Sequence, residues 1–197
     1  MFRRLRLQFI TIASLAILFI LVSTVGIINT VRSFQTEQEI SKVLNTLTEN
    51  NGSFGKTKKI ETNQGREIPS DSFRFFSVTL SGDEVVSQDT SHTSLINDEE
   101  AATYARAASR MTSTLGTIRE KNINLSYQVS KVSKNKILVV FLDTTSYYNS
   151  SQALLNLSIL LSMFGFIFFV VIVSALSGIV IRPFIRNYEK QRRFITN

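Results

Sequence analysis

LLNLSILLSMFGFIFFVVIVSALSGIVI (Leu154–Ile181) holds no charged side chain, and RPFIRNYEKQRRFITN (Arg182–Asn197) follows it at once. A helix rises ~1.5 Å per residue, so this run is long enough to cross a hydrocarbon core of ~30 Å. A second uncharged run, Leu7–Val31, is flanked by Arg6 and Arg32. It is longer than the ~7–15-residue apolar region of a signal peptide. It therefore reads as an uncleaved first transmembrane helix.

The formal net charge is +7. Arg3, Arg4 and Arg6 precede the first span, and Arg182, Arg186, Lys190, Arg192 and Arg193 follow the second. The stretch 32–153 holds 14 basic and 14 acidic side chains. The excess thus lies beside the two apolar runs, which is the positive-inside pattern for a two-pass protein of the cell membrane with both termini cytoplasmic. A nucleic-acid binder would concentrate its basic residues on the folded domain, so no nucleic acid is expected as partner. The expected divisions are 1–6 cytoplasmic, 7–31 first span, 32–153 extracytoplasmic sensor domain, 154–181 second span, and 182–197 cytoplasmic connector.

Cysteine is absent and His92 is the sole histidine. Neither a disulfide framework nor a zinc site of the common N/S kind is expected. The external part must stand on its own core.

That part shows its elements in order. Ile40, Val43, Leu44 and Leu47 fall on one helical face, with no proline or glycine between them and the first span. The helix is expected to run on to Asn50-Asn51-Gly52, which tolerate the left-handed conformation that ends helices. Residues 53–72 read as a polar loop. FRFFSVTL (Phe73–Leu80) and Glu84–Gln88 read as a hairpin about Ser81-Gly82-Asp83, with Phe76, Val78 and Leu80 on one face. Asn97 with Glu100 forms a capping box opening a helix. Its buried stripe would be Ala101, Tyr104, Ala105 and Ala108, continuing to Met111, Thr112 and Leu115, with Gly116 closing it. Ile123–Ser130 alternates as a half-buried strand. ILVVFL (Ile137–Leu142) is apolar throughout and should be the most buried strand. The order α-β-β-α-β-β predicts an α+β fold, an antiparallel sheet with helices on one face. This order is compatible with the PAS-like extracytoplasmic domains of bacterial receptors.

No nucleotide-binding loop, nucleophile elbow or metalloprotease motif occurs. Asp89 could orient His92 as a pH-sensitive pair, but an exposed loop histidine is the simpler reading. Asp98-Glu99-Glu100 could bind a cation or peptide, yet acidic residues are favoured in a first helical turn. Arg106 and Arg110 could grip an anion or form a solvated face. Lys56, Lys58 and Lys59 could attract acidic lipid or wall polymer, though a solvated loop is the plainer account. Ser158/Ser162 and Ser174/Gly178 have a spacing that lets membrane helices approach closely. These residues form no catalytic constellation, and no cofactor-binding or metal-binding residue is assigned.

The tail YEKQRRFITN (Tyr188–Asn197) resembles the segment leading into the dimerisation and phosphoacceptor helix of membrane sensor histidine kinases, especially those of Gram-positive bacteria. The external stretches FRFFSVTL, INDEEAATYA, YQVSKV and ILVVFLDTTS look like that family's sensor region. The resemblance implies the signal-sensing input module of a two-component system, with the phosphoacceptor histidine expected just beyond Asn197. ATP and Mg would belong to a kinase domain outside this chain, as would contact with a response regulator. It also implies a homodimer in membrane lipid, an extracellular ligand or membrane partner, and a signal-transmitting connector that includes Arg182, Pro183, Tyr188, Gln191 and Phe194. The rival expectations are a two-span adaptor or cell-envelope structural protein, or the input half of another receptor class.

Overall fold

A computed structural model describes residues 2–56, 59–62, 65, 67–120 and 122–195, and the side chains of 2, 3, 5 and 178–195 lie outside that description. Within it the chain divides into two compact units, 1–31 with 152–197, and 32–151.

The first unit consists of the apolar parts of two long helices, α1 (Phe2–Glu49) and α3 (Thr145–Ile195). Both are long and apolar enough to cross a membrane. Phe19, Leu161 and Ile12 are each at least 70 % exposed. The Arg6 guanidinium donates to the Ser174 carbonyl at 2.8 Å. The start of α1 therefore lies beside the far end of the apolar run of α3, so the two helices run antiparallel.

The second unit is a mixed α+β domain built on a five-stranded antiparallel sheet. Its strands are β3 (Phe75–Ser81), β4 (Glu84–Asp89), β5 (Leu115–Glu120), β6 (Ile123–Ser133) and β7 (Lys136–Asp143), in the spatial order β4-β3-β7-β6-β5. β7 is central, with Val139 opposite Val78 of β3 and Val129 of β6. A separate small hairpin pairs β1 (Lys59–Glu61) with β2 (Glu67–Pro69).

The sheet is covered on both faces. On one, Ile40, Val43, Leu44 and Leu47 of α1 pack with Phe75, Leu138, Val140 and Leu142. On the other, Ala101, Ala105 and Ala108 of α2 (Asp98–Ser109) pack over Phe76, Val78, Val139 and Phe141. Full burial of an apolar side chain of this size contributes ~1.5–3 kcal/mol. The four α1 residues alone therefore fix that helix firmly to the sheet. Alternate residues of β7 serve opposite faces, which is why its sequence lacks the polar half of an alternating pattern.

Three expectations are corrected. Helices cover both faces of the sheet rather than one. The order α-β-β-α-β-β lacks β5 and the β1–β2 hairpin, the latter lying in the stretch read as loop. Helix α2 stops at Ser109, so Met111, Thr112 and Leu115 are exposed and Gly116 lies in β5. Gly116 pairs with Tyr127, and a Cβ there would sit 2.5 Å from the Tyr127 hydroxyl. Glycine is needed at this point so that a buried ring can lie against the neighbouring strand.

Two local features form as their residues dictate. Asn97 accepts from the Glu100 N–H at 2.8 Å and Glu100 accepts from the Asn97 N–H at 3.2 Å, completing the capping box. Asn51 (φ 56°) and Gly52 (φ 88°) end α1, with the Gly52 N–H donating to Leu47 O at 2.7 Å.

Candidate functional site

The element that could carry information out of the domain is the corner where β7 becomes α3. A single residue, Thr144, separates Asp143, the end of the central strand, from Thr145, the start of the helix. The first turn of any helix has N–H groups without intrahelical partners. Here the Asp143 carboxylate takes one of them, the Thr145 N–H, at 2.9 Å, and the first intrahelical bond runs from the Tyr148 N–H to Thr144 O at 3.1 Å.

The corner is also bonded sideways into the sheet. Thr144 is fully buried. Both its N–H (2.8 Å) and its hydroxyl (3.0 Å) donate to Asn124 O. Its hydroxyl lies 3.0 Å from that of Ser126, which lies 3.1 Å from that of Thr117. The Asn124 N–H donates to the Thr145 hydroxyl at 2.9 Å. A buried hydroxyl costs folding energy unless it is satisfied. The buried Ser126 and Thr144 hydroxyls therefore hold one geometry between β6 and the corner, with the exposed Thr117 extending the line to β5. On the outer side, the Arg119 guanidinium sits 5.3 Å from the Tyr148 ring centroid.

Helix α1 is tied to the same sheet, and to the small β1–β2 hairpin, by polar contacts as well as by its apolar face. Gln128 donates to Asn45 Oδ1 at 2.8 Å, and Lys42 donates to Glu61 O at 2.6 Å. Tyr147 and Tyr148 pack against the cluster holding Ile40 and Leu44. Within this domain, then, the last turns of α1 and the first turn of α3 share one apolar cluster with the sheet.

The residues singled out from sequence are distributed otherwise. His92 is exposed and stacks on Phe75, ring centroids 4.4 Å apart and planes 16° apart. Asp89 accepts from the Ser91 hydroxyl at 2.6 Å and its N–H at 3.0 Å. These bonds hold its carboxyl below the usual range, and the charge of His92 contributes least. Asp98 accepts from Thr90 at 2.6 Å, while Glu100 is spent on the cap. Arg106 and Arg110 both reach the β3–β4 turn, on Asp83 O and the Asp83 carboxylate, each at 2.9 Å. They tie α2 to the hairpin and do not form a free anion grip. Lys59 pairs with Glu67 at 2.6 Å, Lys56 is exposed, and Lys58 lies outside the described residues. Ser158 donates back to Leu154 O, and Gly178 lies outside the described side chains.

The connector residues Arg182, Pro183, Tyr188, Gln191 and Phe194 fall within the backbone of α3, which continues through Pro183. Their side chains lie outside the described residues. Among the described residues no group of histidine and acidic side chains is placed to hold a metal ion.

Sequence reasoning missed Thr117, Ser126 and Thr144. One signal was present: Asp143-Thr144-Thr145-Ser146 is a run of capping residues across the start of a helix.

Tyr104 offers a titration that checks the packing of α2. Partial burial, then a 2.8 Å hydrogen bond to Glu120, then the charges of Glu120 and Glu100 push its hydroxyl up to about 12 from 10.0. Between those values the unfolded chain has lost this proton and the folded chain retains it. The stabilising contribution is therefore present below pH 10 and is lost as pH rises toward 12. Tyrosinate absorbance should show a late-titrating group that Tyr104→Phe removes; an unchanged titration would place that hydroxyl elsewhere.

No protein-family model matches the chain, and a comparison with curated proteins gives no match.

Proposed function

We propose that this chain is the signal-sensing and signal-transducing input module of a membrane sensor histidine kinase of a two-component system. In this reading the domain 32–151 lies outside the cell, two spans cross the membrane, both termini are cytoplasmic, and the module works as a homodimer. The observation that carries it is the buried corner at Thr144. It joins the central strand of the sheet to a helix that continues, unbroken, through an apolar run into the kinase-like tail. Further support comes from charge, since the net positive charge sits at the outer ends of the two apolar runs. The sheet supports a PAS-like domain: the first hairpin lies beside the last strand, and α2 crosses from that hairpin to the β5–β6 hairpin.

A signal that alters sheet packing would be felt at the corner, because the hydroxyl line and the apolar cluster both end there. Differential binding of a few kcal/mol between two states is enough to shift such an equilibrium. The corner then passes the change to α3, and the tail passes it to the phosphoacceptor helix of the parent protein.

The test is a fusion of residues 1–197, in helical register, to the phosphoacceptor and ATP-binding region of a characterised sensor kinase. Thr144→Val and Ser126→Ala each remove one hydroxyl from the line. Each is expected to shift autophosphorylation in vesicles about fivefold in one direction, equivalent to ~1 kcal/mol of coupling. Autophosphorylation unchanged by both, at equal protein level, would sink the proposal.

A further inference from the structure

The corner borders a cleft of about 680 Å³, within the range of small-molecule sites. Phe73, Leu95, Ile123 and Tyr147 give it an apolar wall, and Arg74 and Asp143 give it one charge of each sign. Asn122 and Asn149 add amide groups. The backbone holds the two charged residues side by side, the Asp143 N–H donating to Arg74 O at 2.9 Å. Their side chains nevertheless form no ion pair with each other, and among the described residues the exposed Arg74 guanidinium has no carboxylate partner.

At the helix end the Thr145 N–H is already taken by Asp143 Oδ1, and the charged side chains of the cleft are those of Arg74 and Asp143. What is left is a free guanidinium, a carboxylate with one oxygen committed, and an apolar wall. A simple anion entering this cleft meets Asp143, and a simple cation meets Arg74. A molecule carrying both charges satisfies both, and charge-assisted hydrogen bonds are the strong ones.

We infer that the cleft binds a small zwitterion with an apolar side chain, of the free amino-acid class. Its carboxylate lies on Arg74, its ammonium on Asp143, and its side chain on the wall formed by Phe73, Leu95, Ile123 and Tyr147. The inference deepens the coupling reading and rests on it for its consequence: the bound molecule touches Phe73 and Ile123 of the sheet side and Tyr147 of the helix side, so it favours one geometry of the corner.

The experiment is isothermal titration of the full chain in lipid nanodiscs with free leucine, isoleucine, valine, methionine and phenylalanine. At least one is expected to bind with Kd between ~10 μM and ~1 mM. Its deaminated and decarboxylated analogues should bind about tenfold more weakly or worse, as should the amino acid itself to Arg74→Gln. Glu84→Gln, on the exposed face of β4, should bind as the parent does. Absence of binding by all five at ~10 mM, or binding undiminished by Arg74→Gln, overturns the site. Binding that depends on Arg74 but leaves autophosphorylation of the kinase fusion unchanged supports the site and overturns the coupling reading, so the two fail separately.

Discussion

Phe141→Ala is expected to lower the stability of the domain by about 3–5 kcal/mol, as loss of a buried aromatic ring generally does. Phe141 is fully buried on β7 and stacks on Phe76 with centroids 4.6 Å apart. Tyr127 and Tyr104 approach it at 5.9 and 6.5 Å. The hole left by alanine would be walled by these rings and by α2. Its floor is the backbone of the central strand, hydrogen-bonded on both sides, so collapse around it is restricted. A domain of this size is typically stable by only ~5–15 kcal/mol. Chemical unfolding of the detergent-solubilised protein should therefore show a large fall in midpoint. A change below ~1 kcal/mol would mean that the α2 face of the sheet is not packed as described.

Gly52→Ala is expected to cost about 2–4 kcal/mol, from two separable causes. The residue has φ +88°, where any side chain is strained, and an added Cβ would sit 2.5 Å from Ser77 Cβ. The second cause depends on Ser77 and the first does not. Ser77→Gly removes the obstructing side chain at the cost of a weaker strand position. The double variant Gly52→Ala/Ser77→Gly should consequently recover roughly 1 kcal/mol or more relative to additivity. Additive losses in a double-mutant cycle would show that backbone strain alone makes this turn require glycine. The turn matters because it closes α1 against the sheet, so loosening it should also free Ile40, Val43, Leu44 and Leu47.

Much of this architecture could be read from the residues. Ile40, Val43, Leu44 and Leu47 all pack against the sheet, and the Asn97/Glu100 box opens α2 where expected. The strands about Phe76, Ile123 and Val139 were legible because alternation and apolar runs are local signals. What failed depends on distant neighbours. Met111, Thr112 and Leu115 continue a helical spacing from Ala108, and only the fit of Gly116 beneath Tyr127 shows that the chain has already turned into a strand. The covering of both faces could have been inferred from ILVVFL itself, since a strand with no polar side has two faces to bury. The corner at Thr144 was less legible still. Its significance lies in bonds to Asn124 and Ser126, residues about twenty positions away, which no local pattern announces.

The place of β7 between β3 and β6 also governs the order in which the domain can be made. The chain emerges with the β3–β4 hairpin first and the β5–β6 hairpin later, and these two pairs are not neighbours until the last strand enters between them. Long-range pairing of this kind is slow, because the loop must close before any contact rewards it. The apolar run Leu154–Ile181 follows almost immediately. Synthesis therefore delivers the keystone of the sheet and the second long apolar helix nearly together, and a nascent chain halted before Lys136 carries three separate hairpins and no five-stranded sheet.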